Sequence, residues 1–168
     1  LYAQYGAPIR VVGHSLGAAT SILAAMDVVT HISSDVSVYN FGEPRVGTSA
    51  FSQWASGRLP AGKQFRVTHK RDPVPHVPPM LLDFLHAPHE LWYDNDGDTT
   101  YDNCADSPTH ESPDCSDSII PYGIDDHLLY LGICTECSCD SKRLIDKYGP
   151  KVAARLLARM SKKNKAQP

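Results

Sequence analysis

No stretch of this sequence stays apolar for the ~18 residues a membrane-spanning helix needs, so no transmembrane segment is expected. Basic residues are not in excess either. Against 19 Asp and Glu stand 16 Lys and Arg, a formal net charge of −3, and nothing in that balance suggests a nucleic-acid partner. There is no Asn-x-Ser/Thr sequon, so glycosylation gives no guide to compartment, and no internal repeat appears. Leu1 is preceded by no initiator Met, and neither a charged n-region nor an apolar h-region follows, so the chain reads as starting in the middle of something. Cysteine is sparse and late: Cys104, Cys115, Cys134, Cys137 and Cys139. Cys134-x-x-Cys137-x-Cys139 looks like half a zinc site, but no second Cys or His pair follows at a suitable spacing, and no metal is expected. Disulfides are the preferred reading. Cys104 and Cys115 bracket a polar, Pro-containing loop that a bridge would staple, and the odd count leaves at least one thiol with its partner elsewhere. Disulfides imply an oxidising compartment, hence secretion.

What is present suits one globular domain: 168 residues, 42% of them hydrophobic. Ile9-Arg10-Val11-Val12 is a short apolar run ending at a glycine and reads as a buried strand. Leu16 to about Val29, rich in Ala and Leu, reads as a helix. Val36–Phe41 is a second strand, a Gly/Pro loop leads to a helix near Ser49–Ser56, and Gln64–His69 is a third strand. This alternation requires crossovers and a parallel sheet, so the fold class is α/β. The prolines of 72–79 exclude helix and central strand. His89–Tyr93 is a further candidate strand, 94–118 a long acidic loop, and Ser141 to about Lys163 a helix with Val152, Leu156, Leu157 and Met160 on one face. The expected division is a main domain over 1–140, followed by an amphipathic helix and basic tail over 141–168.

Chemistry concentrates at Gly13-His14-Ser15-Leu16-Gly17. A G-x-S-x-G run carries meaning when a strand precedes it and a helix follows, and both conditions hold here. The turn forces Ser15 into a strained backbone region, and Gly13 and Gly17 are expected to be glycine because a Cβ would collide with neighbouring elements. Ser15 Oγ would stand at a helix N-terminus, where outward N–H groups favour developing negative charge. A serine hydroxyl needs a histidine base held by a carboxylate, in this fold in the chain order Ser, acid, His. Of eight histidines, His127 in Asp125-Asp126-His127-Leu128-Leu129-Tyr130 lies where the base should come. His14 is read as packing within the elbow, and His31, His69, His76, His86, His89 and His110 as surface or loop residues. Asp72 lies just beyond the third strand, at the carboxyl edge of the sheet where sites of open α/β folds collect. Asp83, Asp125 and Asp126 compete with it.

Several blocks in register resemble the class 3 lipases, a family that includes secreted fungal triacylglycerol lipases and feruloyl esterases. They are the runs 11–19 around Ser15, Tyr39-Asn40-Phe41-Gly42-Glu43-Pro44-Arg45-Val46-Gly47, 65–79 around Asp72, Phe84-Leu85-His86, Glu90-Leu91-Trp92-Tyr93, and 126–132 around His127. The resemblance implies an α/β-hydrolase-type, mostly parallel sheet and no cofactor. It implies Ser15 as nucleophile, Asp72 as triad acid, His127 as base and the Leu16 backbone N–H as oxyanion donor. A Cys104–Cys115 bridge resembles one in the secreted fungal branch. The implied substrate is a lipid or other ester, met at a lipid–water interface. Two departures stand out. Gly17-Ala18 replaces the usual Gly-Gly, and the family's N-terminal half, with further strands, the lid and the second oxyanion donor, has no counterpart upstream of Leu1. The expectation is therefore a C-terminal portion of a lipase with the Ile9–Val12 edge unpaired.

Three functions follow: a secreted triacylglycerol lipase, a feruloyl or short-chain esterase, or an inactive fragment serving as a binding or structural module. Two weaker signals are also present. Asp94-Asn95-Asp96-Gly97-Asp98 has the composition of a calcium loop but places its glycine fourth and lacks a closing Glu, and it reads as a solvated turn. The basic C-terminal helix would suit contact with anionic lipid, but packing of Leu156 and Leu157 on the domain is preferred.

Overall fold

Five residues on one side of a helix, Ala18, Ser21, Ile22, Ala25 and Met26, recur at the three- and four-residue steps of an α-helix and are all buried. They belong to a computed structural model that describes residues 2–59, 62–95, 99–121, 123–135, 145–146, 148–155 and 158. In chain order the elements are α1 (Tyr2–Tyr5), β1 (Ile9–His14), α2 (Leu16–His31), β2 (Val36–Phe41), β3 (Gly47–Thr48), α3 (Ser49–Arg58), β4 (Gln64–His69), β5 (Phe84–Leu85) and β6 (Glu90–Tyr93). There follow β7 (Asp102–Asn103), α4 (Ile124–His127), β8 (Leu129–Tyr130) and β9 (Ile133–Cys134), with short 3-10 turns at Val74–His76, Met80–Leu82 and Ser116–Ser118.

The main sheet has five strands in the order β1-β2-β4-β6-β7. β1, β2, β4 and β6 are mutually parallel, with Val11 opposite Val38, Tyr39 opposite Phe65 and Thr68 opposite Trp92, while β3 and β5 form a separate antiparallel pair. β7 adds an antiparallel edge. Among the described residues β1 has β2 as its one neighbour, and its Val12 is exposed. Parallel neighbours need crossovers, and α2 and α3 supply them. Val36 and Val38 of β2 face these helices and pack with Ile22, Met26, Ala55 and Leu59 into the principal core. Full burial of a side chain such as Ile22 or Met26 is worth roughly 1.5–3 kcal/mol.

The sequence reading places Val36–Phe41 and Gln64–His69 at their observed bounds, and other elements differ from it. The strand expected at His89–Tyr93 starts at Glu90, and the proline segment 72–79, expected to exclude helix, holds one 3-10 turn at Val74–His76, where Pro75 has the φ such a turn needs. β1 runs past the glycine to His14, because Gly13 and His14 continue the ladder opposite Asn40 and Phe41. α2 extends to His31, and α3 to Arg58. The expected loop over 94–118 contains β7, since Asp102 and Asn103 pair with Trp92 and Leu91. A Cys104–Cys115 disulfide closes the rest of that segment, and Cys134 is also disulfide-bonded. Residues 148–155 are helical, with Ala153 buried against Leu129 and with Val152 and Tyr148 alongside. The expected partners Leu156, Leu157 and Met160 lie outside the described residues, as do Cys137, Cys139 and the centre of the acidic turn. Among the described residues no helix is long and apolar enough to cross a membrane.

Candidate active site

β1 ends at His14 and α2 begins at Leu16, so Ser15 alone makes the turn between them. It does so at φ 58°, ψ −129°, in a left-handed region that is strained for any side chain. The strain is held from two sides. Ser15 N–H donates to Phe41 O of β2 at 2.9 Å, and its carbonyl accepts the N–H groups of Ala18 and Ala19. A Cβ on Gly13 would lie 2.2 Å from Gly17 O, so the first glycine of the elbow is obligatory. The expectation for Gly17 does not hold: the residue is exposed and a Cβ there meets nothing within 4 Å. Leu16 is the first helical residue, and the first amides of an α-helix have no intrahelical acceptor, so its N–H is available beside Ser15 Oγ.

Asp72 follows β4 by a turn in which its own N–H donates to His69 O. Its carboxylate is buried at 2% exposure and is fully engaged. Oδ1 accepts the Val74 N–H at 2.8 Å, and Oδ2 accepts His127 Nδ1–H at 2.8 Å together with the hydroxyl of Tyr130. A carboxylate can only accept, so His127 carries its proton on Nδ1 and presents the Nε2 lone pair to Ser15 Oγ, 2.8 Å away. The competing acids are placed otherwise. Asp126 Oδ2 takes the Arg71 N–H, Asp125 is half-buried in the first turn of α4, and Asp83 is exposed in a left-handed turn.

Three other residues shape the site, and none was singled out from the sequence. Tyr130 donates to Asp72, and burial, followed by the charge of Asp72, keeps its hydroxyl protonated well above the usual phenol range. Gly42 takes φ +57° and lies so close to the pair that a Cβ would sit 2.9 Å from both Asp72 Oδ2 and His127 Nδ1. His14, read as packing within the elbow, packs its ring against those of His127 and Tyr130 and also places Nε2 2.8 Å from the His127 carbonyl. The histidines read as surface or loop residues need correction at His69, which is a buried strand residue with Nδ1 on Asp126 O; His86 lies in a loop as read, but is also 2% exposed, with Nε2 on Pro75 O. His69 ends β4 and His86 follows β5, and both turn inward, which composition does not reveal.

The loop that carries Gly42 is held by buried charge. Arg45 forks onto Glu111 with two 2.8 Å bonds, and a third bond reaches Pro78 O. Burial works against ionising Glu111, yet the Arg45 fork and the charges of Arg66 and Arg45 bring it down to about 2. Arg66 bonds Asp106 at 2.8 Å, and Asp106 also accepts the Glu90 N–H. Two acids of the disulfide-closed loop, Asp106 and Glu111, thus neutralise two buried arginines. Glu43 has no such partner. Burial pushes it up to about 7, opposed by the Asn40 amide at 2.7 Å and by Arg66. Among the described residues the cluster with metal-ligand spacing is Glu90, Cys104 and Cys115, but its two sulfurs are joined in a disulfide, which removes them as ligands.

The chain's resemblances bear on this geometry. Residues 1–82 match the family model described as lipase (class 3). A lipase of Rhizomucor miehei is 40% identical over 133 residues, covering 76% of this chain and 35% of that protein. A secreted mono- and diacylglycerol lipase A of Penicillium camembertii is 37% identical over 90 residues, covering 54% of this chain and 28% of that one. A solved triacylglycerol lipase, whose catalytic centre is described as a serine protease triad, superposes with a TM-score of 0.71 at 38% identity, covering 80% of this chain and 51% of that one. The chain therefore spans about a third of the length of the curated relatives it matches, at 35% of the first. An elbow serine on an α/β sheet, with these relatives across most of its length, assigns this chain to the class 3 lipase family.

Proposed function

We propose that the chain carries out carboxylic-ester hydrolysis of the triacylglycerol lipase type, with Ser15 as nucleophile, His127 as general base and Asp72 as the acid that orients it. The observation that carries the reading is the unbroken bond series from Ser15 Oγ to His127 Nε2, and from His127 Nδ1 to Asp72 Oδ2, each 2.8 Å. Ser15 Oγ attacks the ester carbonyl as its proton passes to His127 Nε2. The resulting oxyanion takes the Leu16 N–H, and Asp72 stabilises the imidazolium. His127 returns the proton to the departing alcohol, and water, activated by the same imidazole, then releases the acid and frees Ser15.

The lipid substrate is supported by the printed names of the relatives and by apolar side chains beyond Asp72. Leu81 and Leu82 are 93% and 62% exposed just past the acid-bearing loop, which suits a lipid–water interface. An extracellular setting is supported by the Cys104–Cys115 disulfide and by a relative named as secreted. Hydrolysis of p-nitrophenyl butyrate, tributyrin and methyl ferulate by the full chain and by Ser15→Ala tests the reading. Turnover of the first two, lost in the variant, is expected. Preference for methyl ferulate would replace the lipase with a feruloyl esterase. Undiminished turnover in Ser15→Ala would sink the nucleophile assignment.

A further inference from the structure

His127 sits on weak local structure. α4 is four residues long, and β8 and β9, which follow, are two residues each. A helix this short satisfies almost none of its own carbonyls. Of the four it exposes, those of Ile124 and Asp125 accept the Leu128 N–H. The other two, Asp126 O and His127 O, are taken by imidazoles from distant strands: His69 Nδ1 at 2.9 Å and His14 Nε2 at 2.8 Å. A carbonyl oxygen only accepts, so both ring nitrogens carry a proton. These carbonyls belong to the peptides on either side of the His127 Cα. We infer that His14 and His69 are positioning residues, a pair of ring N–H donors that hold the general base from both sides through its main chain, a reading that rests on His127 being that base.

The surroundings bind the two donors to the rest of the site. The His14 and His69 rings each pack 5.6 Å from the ring of Tyr130, whose hydroxyl holds Asp72. The His14 ring also lies 4.6 Å from that of His127, tilted by 32°. Burial, the largest influence, holds His14 below the ordinary histidine range, so it stays uncharged beside an imidazole that must accept a proton. β1 delivers His14 next to the nucleophile, and β4 delivers His69 three residues before Asp72. The base is thereby referenced to the same two strands that set the serine and the acid.

Amide side chains separate donor position from donor presence. Glutamine offers an N–H near imidazole Nε2, and asparagine one near Nδ1. In the full chain, His14→Gln and His69→Asn should keep kcat for p-nitrophenyl butyrate within about threefold of wild type. His14→Asn and His69→Gln, equally polar but with the donor misplaced, should each lose about tenfold or more in kcat at unchanged KM, on active sites counted with a fluorophosphonate. The low-field proton resonance of the His127 Nδ1–H, which needs no turnover, should persist in the first pair and broaden in the second. Equal kcat and equal spectra in matched and mismatched variants would overturn the clamp. Hydrolysis that survives His127→Ala would instead overturn the base assignment itself, so the two failures are distinguishable.

Discussion

Replacing Gly42 with alanine adds one methyl, and the structure fixes where it must go. The new carbon would lie 2.9 Å from Asp72 Oδ2 and 2.9 Å from His127 Nδ1, with His127 Cε1 at 3.0 Å. Against a normal carbon contact of about 3.5 Å, that is roughly 0.6 Å too close on the two atoms whose bond orients the base. Neither end yields freely: Asp72 is held by Val74 N–H and Tyr130, and His127 through its own carbonyl by His14. The displacement therefore falls on the Asp72–His127 or His127–Ser15 bond. A misplacement of about 1 Å can cost a hundredfold, so kcat should fall about 10- to 100-fold. Separately, φ +57° for a residue with a Cβ should cost about 1–2 kcal/mol of stability. Gly17→Ala is the control, since it adds the same methyl where no atom lies within 4 Å. Ester hydrolysis per titrated active site, with urea unfolding measured in parallel, gives both numbers. If Gly42→Ala keeps wild-type kcat, or Gly17→Ala loses as much, the steric argument is wrong.

Three further outcomes are expected. Glu43 is pushed up to about 7 from an ordinary 4.5, so its folded form holds the proton more tightly; stability present below 4.5 is lost as pH rises to about 7. Urea unfolding should show Glu43→Gln equal to wild type at pH 4.5 but more stable at pH 8, by up to about 3 kcal/mol; a difference that does not change with pH would refute this. Glu111→Gln leaves the buried Arg45 charge without its fork and should cost about 3–5 kcal/mol, read as a lowered denaturation midpoint. Tyr130→Phe removes one donor from Asp72 Oδ2 and should lower kcat about tenfold with KM unchanged. A kcat equal to wild type there would mean that Val74 N–H and His127 suffice to hold the carboxylate.

Much of this protein is written locally. Helical spacing marks the buried side of α2, the period-two pattern of Val36 and Val38 marks β2, and the glycines around Ser15 announce the turn that Gly13 makes obligatory. Such features depend on neighbours a few residues apart, which is why they can be read without a fold. Asp72 and His127 needed the in-register resemblance, because the residues alone left other carboxylates open. What only the tertiary structure decided involves long separations. Tyr130 meets Asp72 across 58 positions, His14 meets His127 across 113, and Arg45 meets Glu111 across 66. No sequence period links such pairs; β1 and β4 set His14 and Asp72 on the sheet, and the chain returns far later to meet them. The same closure moves His69, read as a surface or loop residue, to the interior and makes Gly42, read as part of a Gly/Pro loop, a steric necessity. The elbow at Ser15 could be found from its neighbours, but the donors that hold His127 could be found only from the fold.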